Sequence, residues 1–482
     1  MKILLLAPPA VRLMNPATFE PDLLPSKTWV PLGIASLASA LRASGFTVEL
    51  HDLHDYDWPQ VEALLAESRP DLVGVSCFTL SRGNALRLAA LSKRLLPEVP
   101  VVMGGPHATF FPEQVLAPGD VDVVVLGEGE ITIVELAGRL DQGMSLDQSL
   151  GLGRSLGRDL GLYDIQGIAF LRNGRLHRTP ARESVTDLDM FPFPAYDAFN
   201  LDQYKSPEIP AQYLSLPGTH VLTSRGCPFH CEFCSVHTFF HGKWAFRSPG
   251  NVADELERLM AERGVRHVYF SDDLFTLNPQ RTIGICKEIL DRKLDFVWMA
   301  ETRVDCVDEE MLAWMRRAGC YRVYYGVESG SPRILKSINK GFTPDQVRRA
   351  FRMSHEAGLE PCCFLMVGNP GETPETIDET IALIREIKPA TNPIIGITTI
   401  LPGTKQYELS KRQGLISDEY WRSDAPPPLY TGEYDVDDLV QLQIRLARGV
   451  CPEVYEQMRA MGLDDNYFRL RRMMGRRHER TA

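Results

Sequence analysis

No run in this 482-residue chain reaches the eighteen or so apolar residues that a membrane-spanning helix needs. The opening MKILLLAPP is too short an apolar run for a secretory leader and stops at Pro8, so it reads as a first strand. A cytoplasmic location is therefore expected, and its reducing conditions favour clustered thiols as metal ligands over disulfides. A biased tract is also missing. Hydrophobic residues make up 44% and charged residues 24%, the balance of a globular chain long enough for about three domains. Nor is there a surplus of positive charge: the net charge of −11 excludes a general nucleic-acid or anionic-membrane footprint. The one basic stretch, RLRRMMGRRHER at 469–480, reads as a solvated terminal helix and tail. Cysteine is scarce early, since only Cys77 of the ten precedes residue 227. No pattern speaks to oligomeric state.

What is present is an alternation. In residues 1–140, short apolar runs (KILLLA, TVELHD, DLVGVS, VVMGG, VDVVVLG) are separated by amphipathic stretches such as PLGIASLASALRASG, with Pro31 near a helix start and Gly45 at its stop. Strand and helix at this spacing predict a doubly wound, Rossmann-like parallel sheet with a ligand crevice at the strand ends. Residues 141–215 read as a linker between domains, with a hairpin at Asn173-Gly174 and the connector DMFPFPAYD. Between 216 and 400 the alternation resumes through six strand-like runs, from HVLTS to IIGITTIL. Five helices are expected, at 251–263, 278–292, 308–318, 344–357 and 374–387. That is the pattern of a partial (β/α)6 barrel, whose site lies at the carboxyl ends of its strands. Residues 401–482 are expected to be helical and to cover the barrel mouth or pack beside it.

Directly after the first barrel strand stands SRGCPFHCEFCSVH, which places Cys227, Cys231 and Cys234 in one short loop. Thiolates ligate zinc or iron-sulfur clusters. A structural zinc site wants four closed ligands, and His230 or His237 is positioned to supply the fourth. Three protein ligands alone fit a cubic 4Fe-4S cluster with one iron left open for a small molecule, as open coordination marks catalytic metal sites in general.

The CxxxCxxC loop, with aromatic Phe233 just before its last cysteine, resembles that of the radical S-adenosylmethionine superfamily. The resemblance implies that the open iron chelates S-adenosylmethionine and that an electron from the cluster cleaves it to methionine and a 5'-deoxyadenosyl radical. A one-electron donor such as flavodoxin or ferredoxin would be the partner. It further implies that Asp272 or Asp273, in FSDD after the second barrel strand, meets the methionine amine. Arg303 in AETRVD would pair bidentately with the methionine carboxylate, and Glu328 in YYGVESGS would contact the ribose or the methionine. The loop MVGNPGET, with Gly368, would meet the adenine through its backbone. Adjacent carboxylates also serve as helix caps, and an arginine as a surface ion pair.

Members of that superfamily with a doubly wound domain ahead of the barrel resemble cobalamin-binding enzymes. The corresponding pieces here are GVSCFT (Ser76, Thr79), GGPHAT (Gly104, Gly105, Pro106, His107) and LGEGE (Leu126, Gly127, Glu128, Gly129), each at a strand end where small residues let a flat ring lie close. The Asp-x-His-x-x-Gly that supplies a lower axial histidine is missing after the first strand. HDLHDY at 51–56 follows the second strand, lacks the glycine and reads as an ordinary turn. Of the remaining cysteines, Cys286, Cys306, Cys320 and Cys451 are expected as core thiols, Cys77 has no evident role, and Cys362 and Cys363 are expected to pack in the core, the alternative being that one faces the barrel cavity as a hydrogen-atom donor. One of Tyr324 and Tyr325 should also point inward. The resemblance implies a cobalamin-dependent enzyme that methylates an unactivated carbon of a small-molecule, lipid or tetrapyrrole-type substrate. Cyclisation, carbon-carbon bond formation, dehydration and rearrangement are the nearest alternatives, with or without cobalamin. No catalytic base is assigned, and the substrate is not encoded in any motif.

Overall fold

The computed structural model describes residues 1–11, 13–14, 21–23, 27–142, 162–204, 209–453 and 455–456; the basic stretch at 469–480 lies outside them. No helix among the described residues is long and apolar enough to cross a membrane.

The first sheet contains β1 (Lys2–Ala7), β2 (Thr47–Asp52), β3 (Leu72–Ser76), β4 (Val101–Gly104), β5 (Val123–Val125), β6 (Ile168–Arg172) and β7 (Arg175–Arg178). Its order is β2-β1-β3-β4-β5-β6-β7, parallel through β5. Successive side chains of a strand point to opposite faces. Ile3 and Leu5 therefore pack under helices α1 (Leu32–Ala43) and α4 (Glu130–Asp141). Leu4 and Leu6 face α2 (Trp58–Ser68) and α3 (Arg82–Leu95). A strand buried on both faces must be apolar at every position, which is why KILLLA shows no alternation. The strand order reverses between β1 and β3, so the crevice of a doubly wound sheet opens at their carboxyl ends.

The hairpin at Asn173-Gly174 is present, and both residues have positive φ (51° and 72°), as a tight two-residue turn demands. Read from sequence as part of a linker, it instead belongs to the first sheet: β6 runs antiparallel against β5 and continues into β7. Turn chemistry is local, whereas the strand that a hairpin joins is a tertiary choice. The connector that follows lays Phe191 and Phe193 against the guanidiniums of Arg225 and Arg247.

The second sheet comprises β8 (Gly218–Val221), β9 (His267–Phe270), β10 (Val297–Thr302), β11 (Cys320–Glu328), β12 (Glu360–Val367) and β13 (Ile394–Ile397), parallel and in chain order. It is the expected partial barrel. Helices α5 (Pro249–Arg263), α6 (Pro279–Asp291), α7 (Glu309–Arg317), α8 (Pro344–Glu356) and α9 (Pro374–Ile387) cover its outer face. Each begins the same way: the side chain of Ser248, Asn278, Asp308, Thr343 or Thr373 accepts the N–H three residues on, and in four of the five a proline follows that cap. Tyr325 packs outward on Phe351. Tyr324 and Cys362 point inward, into a separate cluster with Tyr269 and Met299.

Beyond the barrel, α10 (Lys405–Arg412) and α11 (Val436–Val450) are helical as expected. The segment between them reaches back to the first sheet. There the buried Arg82 donates to the carbonyls of Ser423, Ala425 and Thr79 and lies over the Trp421 ring. The carboxyl-terminal region thus ties the two sheets together.

Candidate functional site

The cysteine loop leaves β8 through the short segment Thr223 to Gly226, and the two carboxylates after β9 hold that segment. Asp272, with 0% exposure, accepts from the Thr223 N–H (3.1 Å), the Thr223 hydroxyl (2.7 Å) and the Ser224 hydroxyl. Burial raises its pKa and these donors oppose the shift. Asp272 is therefore consumed inside the protein, and only Asp273 of the expected pair stands beside the loop. One oxygen of Asp273 accepts the Gly226 N–H (3.0 Å), and burial pushes its pKa up to about 6. Gly226 has φ +84°, and an added Cβ would run into the carbonyl of Lys243.

Cys227, Cys231 and Cys234 are half-buried free thiols. Burial raises the pKa of Cys227 and pushes that of Cys234 up to about 11, so loading a metal must displace their protons. Among the described residues, no group of three or more His, Cys, Asp and Glu side chains is drawn together as ligands of one ion. His230 and His237 lie against each other with ring centroids 3.8 Å apart and their planes tilted by 48°.

Arg303 crosses the end of β10 to this loop. Its guanidinium lies 3.6 Å from the Phe229 ring centroid and approaches the Cys231 sulfur at 3.7 Å. Asp305 takes two of its N–H groups (3.0 and 2.9 Å), and the Lys340 carbonyl takes another (2.6 Å). With a fourth N–H directed at Cys231, one of the five donors of this arginine remains for a ligand beside the loop, so the bidentate pairing expected from sequence is not available in this arrangement. Glu328 is buried in an ion pair with Lys340 (2.8 Å), whose ammonium lies over Phe233 at 5.5 Å. Its φ of +64° is a left-handed conformation that costs a non-glycine residue about 1–3 kcal/mol and clusters at functional sites. The structure thus brings Phe233, Asp273, Arg303 and Glu328 to the cysteine loop. Sequence reasoning missed Phe229, Asp305 and Lys340; only Phe229 was signalled, by its place between two of the cysteines.

Gly368, on the β12 loop, has φ +78°, and the place of its absent side chain is occupied by Leu439 of α11. Behind it Glu372 is buried, hydrogen-bonded to the N–H and side chain of Asn369 and to Thr376, and burial pushes its pKa up to about 7. A carboxyl with a folded pKa above its unfolded value of 4.5 weakens the fold as pH rises from about 4.5 to 7, by up to about 3 kcal/mol. Glu372→Gln is expected to flatten that decline: its melting temperature should exceed that of the parent at pH 8 and match it near pH 4.5. Parallel melts across this range check it.

The crevice of the first sheet is built from the three glycine-rich loops. Gly105 (φ +103°) lies so close to Cys77 that a Cβ would sit 2.8 Å from its carbonyl, and Thr109 accepts from the Gly127 N–H (3.0 Å). At Gly127 (φ +71°) an added Cβ would meet open space. Gly104 ends β4, Pro106 starts the turn that follows, Leu126 donates its N–H to Gly167, and Gly129 packs against Leu37. Ser76 ends β3, and the loop after it exposes Phe78 (56%) and Leu80 (72%). Such an apolar, glycine-lined rim suits a large flat ring. His107 is not on an open wall: it is 1% exposed, 3.3 Å from the Thr79 hydroxyl, packed on Phe111 and Trp421, and burial together with Arg82 pushes its pKa down to about 3. Glu128 pairs with Arg225. HDLHDY is a turn closed by Asp52, which accepts from the His54 N–H and the Tyr204 hydroxyl. Cys286, Cys320 and Cys451 are core thiols as expected, whereas Cys306 is only half-buried, beside Asp305.

Both halves of the chain match known families. Residues 221–384 match the radical SAM superfamily, and residues 25–137 match the B12 binding domain. The chain is 34% identical over 88% of its length to an uncharacterized methyltransferase of Pyrococcus horikoshii, 86% of which is covered. It is 31% identical, over 75% of its length and 63% of the relative's, to the anaerobic magnesium-protoporphyrin IX monomethyl ester cyclase of Rubrivivax gelatinosus. Its fold resembles the cobalamin-dependent S-adenosylmethionine radical enzyme OxsB with aqua-cobalamin bound (TM-score 0.70, 19% identity, 97% of this chain and 72% of that one). It also resembles the methyltransferase TsrM of Kitasatospora setae (TM-score 0.65, 22% identity, 86% and 76%).

Proposed function

The chain belongs to the radical S-adenosylmethionine enzymes that carry a cobalamin-binding domain, and on that premise we propose that it transfers a methyl group to an unactivated carbon of a small molecule. The observation that supports this reading is the contact between the segment leading into the three-cysteine loop and the glycine-rich loop after β5, made by Arg225 with Glu128 and Glu130. When bound, the cluster with S-adenosylmethionine supplies a carbon-centred radical, and cobalamin supplies the methyl group.

The chain's own residues bind and align. Cys227, Cys231 and Cys234 are the thiolates for three irons of a 4Fe-4S cluster, a donor set of three soft sulfurs that leaves the fourth corner open. Asp273 is the group for the amine of S-adenosylmethionine. Arg303, held flat on Phe229 and oriented by Asp305, is the group for its carboxylate through its remaining N–H. Glu328, its charge balanced by Lys340, serves the ribose or methionine, and the backbone at Gly368 serves the adenine. Ser76, Thr79, Gly104, Gly105, Pro106, Leu126, Gly127 and Gly129 form the cobalamin crevice, with His107 supporting it from beneath. A one-electron donor such as flavodoxin or ferredoxin is the partner this chemistry requires.

The Pyrococcus relative bears the name methyltransferase, and the Rubrivivax relative bears the name cyclase. Anaerobic turnover of candidate substrates with S-adenosylmethionine labelled at its methyl carbon separates the two. The expected result is label in the product together with 5'-deoxyadenosine. An unlabelled product formed along with 5'-deoxyadenosine would overturn methyl transfer in favour of cyclisation or rearrangement.

A further inference from the structure

We propose that Arg225 is a positioning residue that fixes the separation of the two cofactor sites, through the ion pairs it makes from the root of the cysteine loop to Glu128 and Glu130 of the glycine-rich loop after β5. The inference rests on the two-cofactor reading above. Nη1 of Arg225 lies 3.1 Å from Glu128, and Nη2 lies 2.6 Å from Glu130. The three side chains are 20%, 18% and 6% exposed, so water screens the pairs weakly. Losing either partner leaves charge uncompensated in a largely dry seam.

The joint transmits position because both of its ends are rigid. On the cluster side Arg225 sits two residues before Cys227, between two anchored neighbours: the Ser224 hydroxyl is held by Asp272, and the Gly226 N–H by Asp273. Its backbone also pairs with Ala245 in a two-stranded ribbon. On the sheet side Glu130 begins α4, and the loop that carries Glu128 is pinned by the Leu126 N–H donating to the Gly167 carbonyl and the Gly127 N–H donating to the Thr109 hydroxyl. A second seam joins the same two regions, where Phe110, four residues after Pro106, meets the ring of Phe239, five residues after Cys234 (centroids 6.2 Å). Gly403 backs Phe110 with no room for a Cβ. Two contacts at different strand ends of the first sheet, one before and one after the cysteines, define a spacing, and of the two only the Arg225 pairs are charged and directional. A displacement of about 1 Å between reacting groups is enough to cost a hundredfold in rate, so a chain that must pass a substrate between two cofactors gains from such a joint.

The test uses the full chain reconstituted with iron, sulfide and cobalamin under anaerobic conditions. Pulsed electron paramagnetic resonance then measures the dipolar distance between cob(II)alamin and the reduced cluster. The parent should give one narrow distribution. In Arg225→Met it should broaden by about twofold or shift, with iron and cobalamin contents unchanged, because the charges of Glu128 and Glu130 are left without a partner. Arg225→Lys, which keeps the charge but not the fork, should fall between the two. Should Arg225→Met fail to fold, the double variant Glu128→Gln, Glu130→Gln removes the same pairs without changing shape and should show the same broadening. A loaded variant with the parent's distribution overturns the proposal. A parent that takes up iron but no cobalamin overturns the two-cofactor reading itself, and this inference with it.

Discussion

Cys231→Ala is expected to abolish 5'-deoxyadenosine formation and to lower bound iron from about four atoms per chain to a small residue, because a cube held at three corners cannot be held at two. Cys231 is the choice because its sulfur faces Arg303, the cation that would lie between the cluster and a bound carboxylate. Cys306→Ala is the matching control. Cys306 lies near Cys227, but burial and then Asp305 push its pKa up to about 12, so it remains a protonated thiol. Its alanine variant should retain iron and activity. Iron analysis and product chromatography read both. If Cys231→Ala keeps its iron and its deoxyadenosine, the cluster is not held by this loop.

Gly226→Ala should come nearly as close to complete loss while leaving the fold standing. The added methyl meets two penalties at once. A φ of +84° costs a residue with a Cβ about 1–2 kcal/mol. Collision with the Lys243 carbonyl and the Phe240 side chain has no inexpensive relief, because the carbonyl belongs to the backbone. The loop must shift, and the Gly226 N–H must then leave Asp273. The expected outcome is at least about a tenfold fall in cluster occupancy with an unchanged far-ultraviolet dichroism spectrum, since the strain is confined to one turn. Occupancy equal to that of the parent would show that the turn tolerates a side chain and that its geometry is not what seats the cysteines.

The two predictions differ in how far sequence alone leads to them. The cysteines announce themselves by spacing, because three thiols within eight residues satisfy a local chemical need. The barrel helices were equally legible, and for a local reason: a capping Ser, Asn, Asp or Thr, followed in four of the five by proline, marks each amino end before an amphipathic run. Gly226 was visible only as a letter inside the motif. That it needs a positive φ, and that Lys243 closes the space beside it, follow from the ribbon formed with residues 245–246.

The pair of carboxylates after β9 shows the limit from the other side. Sequence offers Asp272 and Asp273 as equals; in the turn beyond the strand, Thr223 and Ser224 draw one into the protein and the Gly226 N–H holds the other by the loop. Lys340 had no sequence signal at all, because its role depends on a turn that carries it back across Glu328 and Phe233. His107 stood within a motif and proved to be a buried support beneath a carboxyl-terminal segment more than three hundred residues away.

By itself, then, the sequence determined the two α/β units, the alternation of their parallel strands and helices along the chain, the cysteine loop and the glycine-rich strand ends. Each of these is written in residues close together along the chain, through periodicity, caps and turn chemistry. Only the tertiary structure decided which carboxylate faces the cluster loop, which glycines are closed by neighbours, and that Arg225 bridges to Glu128 and Glu130. Each of these outcomes joins groups well separated along the chain, in the last case 97 and 95 residues apart and 3.1 and 2.6 Å from one another, and no local propensity encodes a distance of that kind.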